Sequence, residues 1–251
     1  LASLIGPLKH TLTKSFSARQ VRRLPYLFSV APSGFKIKNL PNDRQPPARE
    51  GFSPTHALLE TSYLNILQAL EPIFATRPFL LGYHFTLADA SLYGQLGMNL
   101  SDPSAANWIK DTAPNLYRWL NNIHQGHFSP HTSQGEKAIP VDELLRPLIN
   151  EITRVYYPLM QQNEHAYNQY KKQGETVFNE KAFNAGKALY EGEIDGVPFK
   201  HVVKTFQVKT WRKIIKAWQQ LSSTEKSKLL ALYPTINPTQ IQATRLTTAQ
   251  L

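Results

Sequence analysis

Cysteine is absent from all 251 residues, which excludes disulfides, thiolate metal sites and a thiol nucleophile within the chain. No apolar run approaches the roughly 18 residues that would suggest a membrane-spanning helix. No charged–apolar–small segment opens the sequence either, and the expected setting is the cytoplasm. The recurrent nucleotide motifs G-x-G-x-x-G and the P-loop are missing. So is a G-x-S-x-G elbow that would gather the available Ser, His and Asp residues into a nucleophilic site. Paired carboxylates on one helix face are also lacking. Glu191 and Glu193 share one face of an expected strand and read as a solvated edge.

Acid is scarce in two windows. None precedes Asp43, although Lys9, Lys14, Arg19, Arg22, Arg23, Lys36 and Lys38 do. From Gly196 to Thr224 the chain again holds no acid, but it holds Lys200, Lys204, Lys209, Arg212, Lys213 and Lys216. The formal net charge is +10. Such stripes can bind nucleic acid or anionic lipid, but no nucleic-acid motif accompanies them. They read as solvated faces or as surfaces for an acidic partner, so neither nucleic acid nor membrane is the expected partner. With 41% hydrophobic and 11% aromatic residues, the chain has enough apolar material for packed cores rather than disorder.

Periodicity predicts a mostly α protein. Residues 1–24 read as helical, with an interruption near Ser15 to Ser17, and 25–51 as an irregular Pro- and Gly-rich connector. Ser53-Pro54 is an expected helix start, followed by a buried stripe of Leu58, Leu59, Ile66, Leu67, Leu70, Ile73 and Phe74, with Pro72 perturbing the last turn. Further helices are expected over 86–100, 104–110, from Pro114 through Ile123, and over 141–172, where Pro158 predicts a kink or break. Asp195-Gly196 between KALYEGEI and VPFKHVV is a strong hairpin signal near 187–203. The last expected helices are 205–221, amphipathic and basic, and a short one capped by Ser223 and Thr224. The expected partition is 1–125, a loop over 126–140, and a helical extension over 141–251.

Within Arg77 to Leu96, RPFLLGYHFTLADASLYGQL, Thr86 is a good N-cap and Asp89 stands where its carboxylate reaches back to the Thr86 amide. Leu87, Ala90, Tyr93, Gly94 and Gly97 recur at helical spacing, so a small-residue face is expected to pack closely on a neighbour.

This string resembles the C-terminal all-helical domain of the glutathione transferase superfamily. Thr86 and Asp89 match that family's structural capping pair, and Gly82 its preceding turn. The close resemblance runs from about Ser53 to His124. A looser one reaches about Tyr233, carried by PLINEITRVYYPLMQQNEHA (147–166) and LYEGEIDGVPF (189–199), towards bacterial members with a C-terminal extension. It implies a transferase-type bundle that supplies the wall for an apolar electrophile, with glutathione as co-substrate and a homodimer as a common state. Glutathione itself is held in that family by a thioredoxin-like domain. Such a domain takes roughly 80 residues of alternating strands and helices, whereas 52 residues without that alternation precede Ser53. The expectation is a chain lacking that half, with no catalytic residue, no cofactor and little activity alone. The alternative is a non-catalytic module that docks protein or RNA.

Two other groups were weighed. His124, His127 and His131, with Glu136 as a fourth ligand, approach a metal signature, but their Gly/Pro-rich segment reads as a loop with exposed histidines. Tyr156, Tyr157, Gln161 and Asn163 fall on a helix that, in the resembled proteins, packs near the inter-domain cleft. The tyrosines read as core, and no ligand contact is assigned.

Overall fold

A computed structural model describes residues 17–129, 142–239 and 241. It is mostly α with one antiparallel hairpin, as the periodicity predicts. Residues 17–22 are helical; the expected run to residue 24 is corrected, because a 3-10 turn over Leu24–Leu27 follows with Pro25 inside it, and residues 1–16 lie outside the described residues. The principal helices are α1 (His56–Thr76), α2 (Leu87–Leu96), α3 (Pro103–Thr112), α4 (Pro114–His124), α5 (Arg146–Glu151), α6 (Tyr157–Lys172), α7 (Glu180–Asn184), α8 (Thr205–Gln220) and α9 (Ser223–Leu232). Strands β1 (Leu189–Ile194) and β2 (Val197–Val202) form the hairpin. Among the described residues no helix is long and apolar enough to cross a membrane.

Packing cuts across the partition read from the sequence. One compact unit comprises the described parts of 1–60, 154–220 and 238–251; the other those of 61–153 and 221–237. The connector explains the difference, because its apolar residues share cores with the hairpin. Phe28 joins Leu58, Ala166, Tyr190, Ile194, Phe199 and Val203 in one cluster, and Tyr26 and Phe52 lie against Ala182, Phe183, Ala188 and Val202 in another.

In this first unit the expected helix start at Ser53 is corrected. α1 begins at His56, because the Val30 carbonyl of the connector accepts the Thr55 and His56 amides at 2.9 and 3.0 Å. Thr55 is buried, donates its hydroxyl to the Phe28 carbonyl and accepts from the Val30 amide at 3.1 Å. A main-chain carbonyl thus satisfies donors that an N-cap side chain would otherwise serve.

The hairpin has the expected turn. Asp195 and Gly196 have φ of 53° and 75°, the positive pair required by a type I′ turn whose twist matches the strands. Ile194 pairs Val197 and Glu193 pairs Pro198. Glu193 stands in the phase whose main chain points away from its partner strand, so its amide and carbonyl are free for α6. Pro198, in the same phase on β2, removes a donor from that strand's outer edge.

Pro158 does interrupt the run over 141–172, and the interruption is a π-turn, Ile152–Tyr156. Proline at 158 cannot donate to the Arg154 carbonyl and its ring crowds it. Widening the preceding turn relieves the crowding without ending the helix.

The second unit is built on Leu67, Leu70, Ile73, Ile109, Leu116 and Leu120, each fully buried. Phe74 of α1 stacks on Trp119 of α4 at 4.4 Å. Glu71 of α1 supplies the cap that α4 lacks in its own sequence: its carboxylate accepts the Asn115 and Leu116 amides at 2.9 and 3.2 Å. α9 is capped by Ser222 with Glu225 rather than by the expected Ser223 and Thr224.

Candidate functional site

The Thr86–Asp89 pair is present and its chemistry is structural. Asp89 is completely buried. One carboxylate oxygen accepts the Thr86 amide at 2.9 Å and the Thr86 hydroxyl at 2.6 Å; the other accepts the Leu80 amide at 2.7 Å. The hydroxyl oxygen in turn faces the Asp89 amide, which completes the reciprocal capping-box arrangement. Leu80 lies in the turn that Phe79 and Gly82 close with reciprocal main-chain bonds of 3.1 and 3.2 Å. Gly82 has φ of 120°, a conformation that only glycine adopts without strain. One side chain therefore ties the PFLLG turn to the start of α2.

The expected burial of α2 along its small-residue face is corrected. Leu87 is 82% exposed, and Ala90 and Gly94 are exposed as well. α2 is anchored through Asp89 and Leu96, the residues of the helix that are buried. Helical spacing identified a face with small side chains, but it carried no information on which face meets a neighbour.

The second unit also holds a cleft of about 450 Å³ between the end of α1 and α4. Its walls include Phe74, Phe79, Trp119 and Phe128, and Arg77, Arg118 and Asn122 add polarity. Arg77 is buried and donates to the Asp142 carboxylate at 2.6 Å. The same aspartate accepts the Leu144 amide through its side chain at 3.1 Å and the Tyr233 hydroxyl through its carbonyl at 2.7 Å. These contacts span 65 and 91 positions in sequence, and sequence reasoning missed them because no local motif marks them.

His124 meets the Tyr93 hydroxyl at 2.9 Å, and the His127 amide donates to Asn122. His131 and Glu136 lie outside the described residues. Among the described residues no group of three His, Asp, Glu or Cys is arranged to hold a metal.

In the first unit, Tyr157 packs edge-on against Trp211 at 5.2 Å, and burial raises the Tyr156 and Tyr157 pKa values. Both are half-buried packing groups. Asn163 is fully buried and pairs through both ends of its carboxamide with Lys204 of the segment entering α8: its Nδ2 donates to the carbonyl at 3.0 Å and its Oδ1 accepts the amide at 2.9 Å. That is a structural clamp. Gln161 lines an open cleft.

The most perturbed polar cluster lies at the end of β2. His201 places Nε2 3.1 Å from the Tyr26 carbonyl and Nδ1 2.9 Å from that of Val202. Burial, aided by the Lys204 charge, pushes the imidazole down to about 4. Lys204 donates to the same Tyr26 carbonyl at 3.0 Å and sits over the Tyr26 ring, and burial lowers it to about 8.

The acid-free basic stretch over 196–224, which spans β2 and α8, is only partly free. Lys200 pairs with Glu191 at 2.9 Å and Arg212 with Glu164 at 2.7 Å. Lys209, Lys213 and Lys216 remain exposed and share one side of the helix at i, i+4, i+7.

Residues 54–125 match the family model for the glutathione S-transferase, C-terminal domain. Neither the search of curated proteins nor that of solved structures returned a significant match to the chain. The matched segment contains α1 to α4 with the Asp89-centred turn between the first two. The chain's similarity to the glutathione S-transferase family is thus a similarity to its C-terminal domain, over residues 54–125.

Proposed function

We propose that the chain is the C-terminal portion of a glutathione-transferase-like protein, in which the matched domain forms the electrophile-side wall of a conjugation site. The family match over 54–125 carries this reading. Uncovered apolar groups within that segment support it: Met98 is 71% exposed and Trp108 is 38% exposed, with Tyr63 beside Trp108 at 5.5 Å. Apolar surface of this kind suits an apolar co-substrate. The thiolate that attacks the electrophile would be held and stabilised by a thioredoxin-like domain outside these 251 residues.

Quenching of Trp108 fluorescence by an aryl halide electrophile tests the wall, with Trp108→Leu as the control for the other tryptophans. Saturable quenching lost in that variant is expected, together with glutathione conjugation no faster than the uncatalysed reaction. Linear, collisional quenching removes the proposed wall, and rapid conjugation by this chain alone contradicts the division of labour.

A second reading, a docking module for an acidic partner or RNA, draws on the exposed Lys209, Lys213 and Lys216 face. It requires binding that weakens steeply with salt and is lost in a triple Lys→Glu variant at these positions. Binding indifferent to both removes it.

A further inference from the structure

Helix α6 runs beside the outer edge of β1 and closes it at two points. Gln162 meets Glu193 with both ends of its carboxamide: Nε2 donates to the carbonyl at 2.8 Å and Oε1 accepts the amide at 2.9 Å. Further along, the Tyr170 hydroxyl donates to the Leu189 carbonyl. Eight helical residues rise about 12 Å and four strand residues about 13 Å, so the two spacings match. The residue midway on the helix is Ala166 and midway on the strand is Glu191.

Glu191 has the same outward phase as Glu193 and Leu189, but alanine has nothing to offer its main chain. Among the described residues, the Glu191 amide and carbonyl receive no side-chain hydrogen bond. They face a cleft of about 540 Å³ lined by Gln161, His165, Ala166, Gln169, Tyr170 and Glu191 itself. Gln161, His165 and Gln169 recur at every fourth position and form the opposite rim, each exposed.

We infer that this cleft binds an uncharged peptide unit, a carboxamide or a blocked di- or tripeptide, which pairs with the Glu191 main chain as Gln162 pairs with Glu193. The chain itself demonstrates the recognition twice, at Gln162 on Glu193 and at Asn163 on Lys204. Length is limited by the helix: Gln162 and Tyr170 close the edge on both sides, so one peptide unit fits on the strand and a long β-addition does not. Charge is limited too. The ionised carboxylate of the lining, Glu191, is engaged by Lys200, and no lysine or arginine lines the cleft to meet a free carboxylate. Gln169 Nε2 meets His165 Nε2 at 2.9 Å, and the rim's other amide and imidazole positions supply both donors and acceptors for the ligand's remaining groups. The inference does not rest on the conjugation reading.

The test uses the full ¹⁵N-labelled chain and N-acetyl-glycyl-glycinamide as the probe. A saturable shift of the Glu191 amide resonance with Kd in the range of about 1 mM, with slowed hydrogen exchange there and a smaller response at Glu193, is expected. The exposed-site variant His165→Ala/Gln169→Ala should weaken binding by roughly three- to tenfold, as lost hydrogen bonds do. Absence of a saturable shift overturns the inference, as does an unchanged Kd in that variant. Glutathione, which bears free carboxylates, should leave the Glu191 signal in place; a shift with glutathione and none with the blocked peptide also overturns it. None of these outcomes bears on the Trp108 quenching test.

Discussion

Removing the Asp89 carboxylate would strand the Leu80 and Thr86 amides in a partly buried turn. Asp89→Ala is expected to cost about 3 kcal/mol, the scale of several buried charged hydrogen bonds left unmade, read as a shift in the urea midpoint with unchanged slope. Half of this arrangement was legible: Thr86 and Asp89 three residues apart announce a cap. The Leu80 contact was not, because it depends on how the Phe79–Gly82 turn folds back. His201 was silent in the sequence, since its character comes from burial beside Tyr26, which precedes it by 175 positions. Its folded pKa of about 4 lies below the ordinary 6.5. Protons therefore bind the unfolded chain first as pH falls, and stability is lost between about 6.5 and 4. The loss approaches about 3 kcal/mol for a group this deeply buried. Carboxylates titrate in the same window, so the measurement is the difference in unfolding free energy between the native chain and His201→Gln across pH 4 to 8. That difference should shrink towards acid. A difference constant with pH would refute the assignment.

At the scale of elements, β1 and α6 meet without clearance at Gly192. A methyl group built on Gly192 would lie 2.1 Å from Gln162 Oε1 and 2.7 Å from the Phe199 ring. The glutamine end can move, but only by releasing Glu193, and the ring is buried. Gly192→Ala should therefore destabilise by about 2 kcal/mol, with exchange protection lost first at the Glu193 amide. Loss confined to the second unit would be inconsistent with this account. The hairpin was readable because Asp-Gly dictates its own dihedral angles. The π-turn was readable as an interruption but not as a kind, since proline reports where a helix must yield and not how. The start of α1 moved because the donors at Thr55 and His56 are met by Val30, 25 residues upstream. For α2 the sequence yielded the cap and the register and misjudged the environment: alanine and glycine permit close approach without requiring it.

On the scale of the whole molecule, the composition correctly indicated packed cores, and the periodicity their helical class. What it could not convey is that each unit is assembled from separated stretches. The stretch over 25–51 read as an irregular connector. Tyr26, Phe28 and Phe52 make it part of two cores instead. The site reading was legible to the same degree as its signals were local. The family segment announced itself through a contiguous string, whereas the Glu191 cleft arises from the pairing of one row of α6 with alternate residues of a strand 20 to 30 positions later.

Hairpins of two strands expose both margins, and open margins invite other chains to add to them. Here one margin is occupied by side chains of a helix, and on the other Pro198 leaves a gap in the donor row. A Pro198→Val chain should fold normally, because that nitrogen is not needed for pairing with Glu193. Its gain is one more donor at the exposed end of the outer edge, so faster thioflavin-positive fibril growth on agitation is expected, with a melting temperature within a few degrees of the parent. Equal lag times would mean that proline guards nothing. The residue's value then lies outside the native state altogether, in keeping a basic, aromatic-rich chain from recruiting copies of itself.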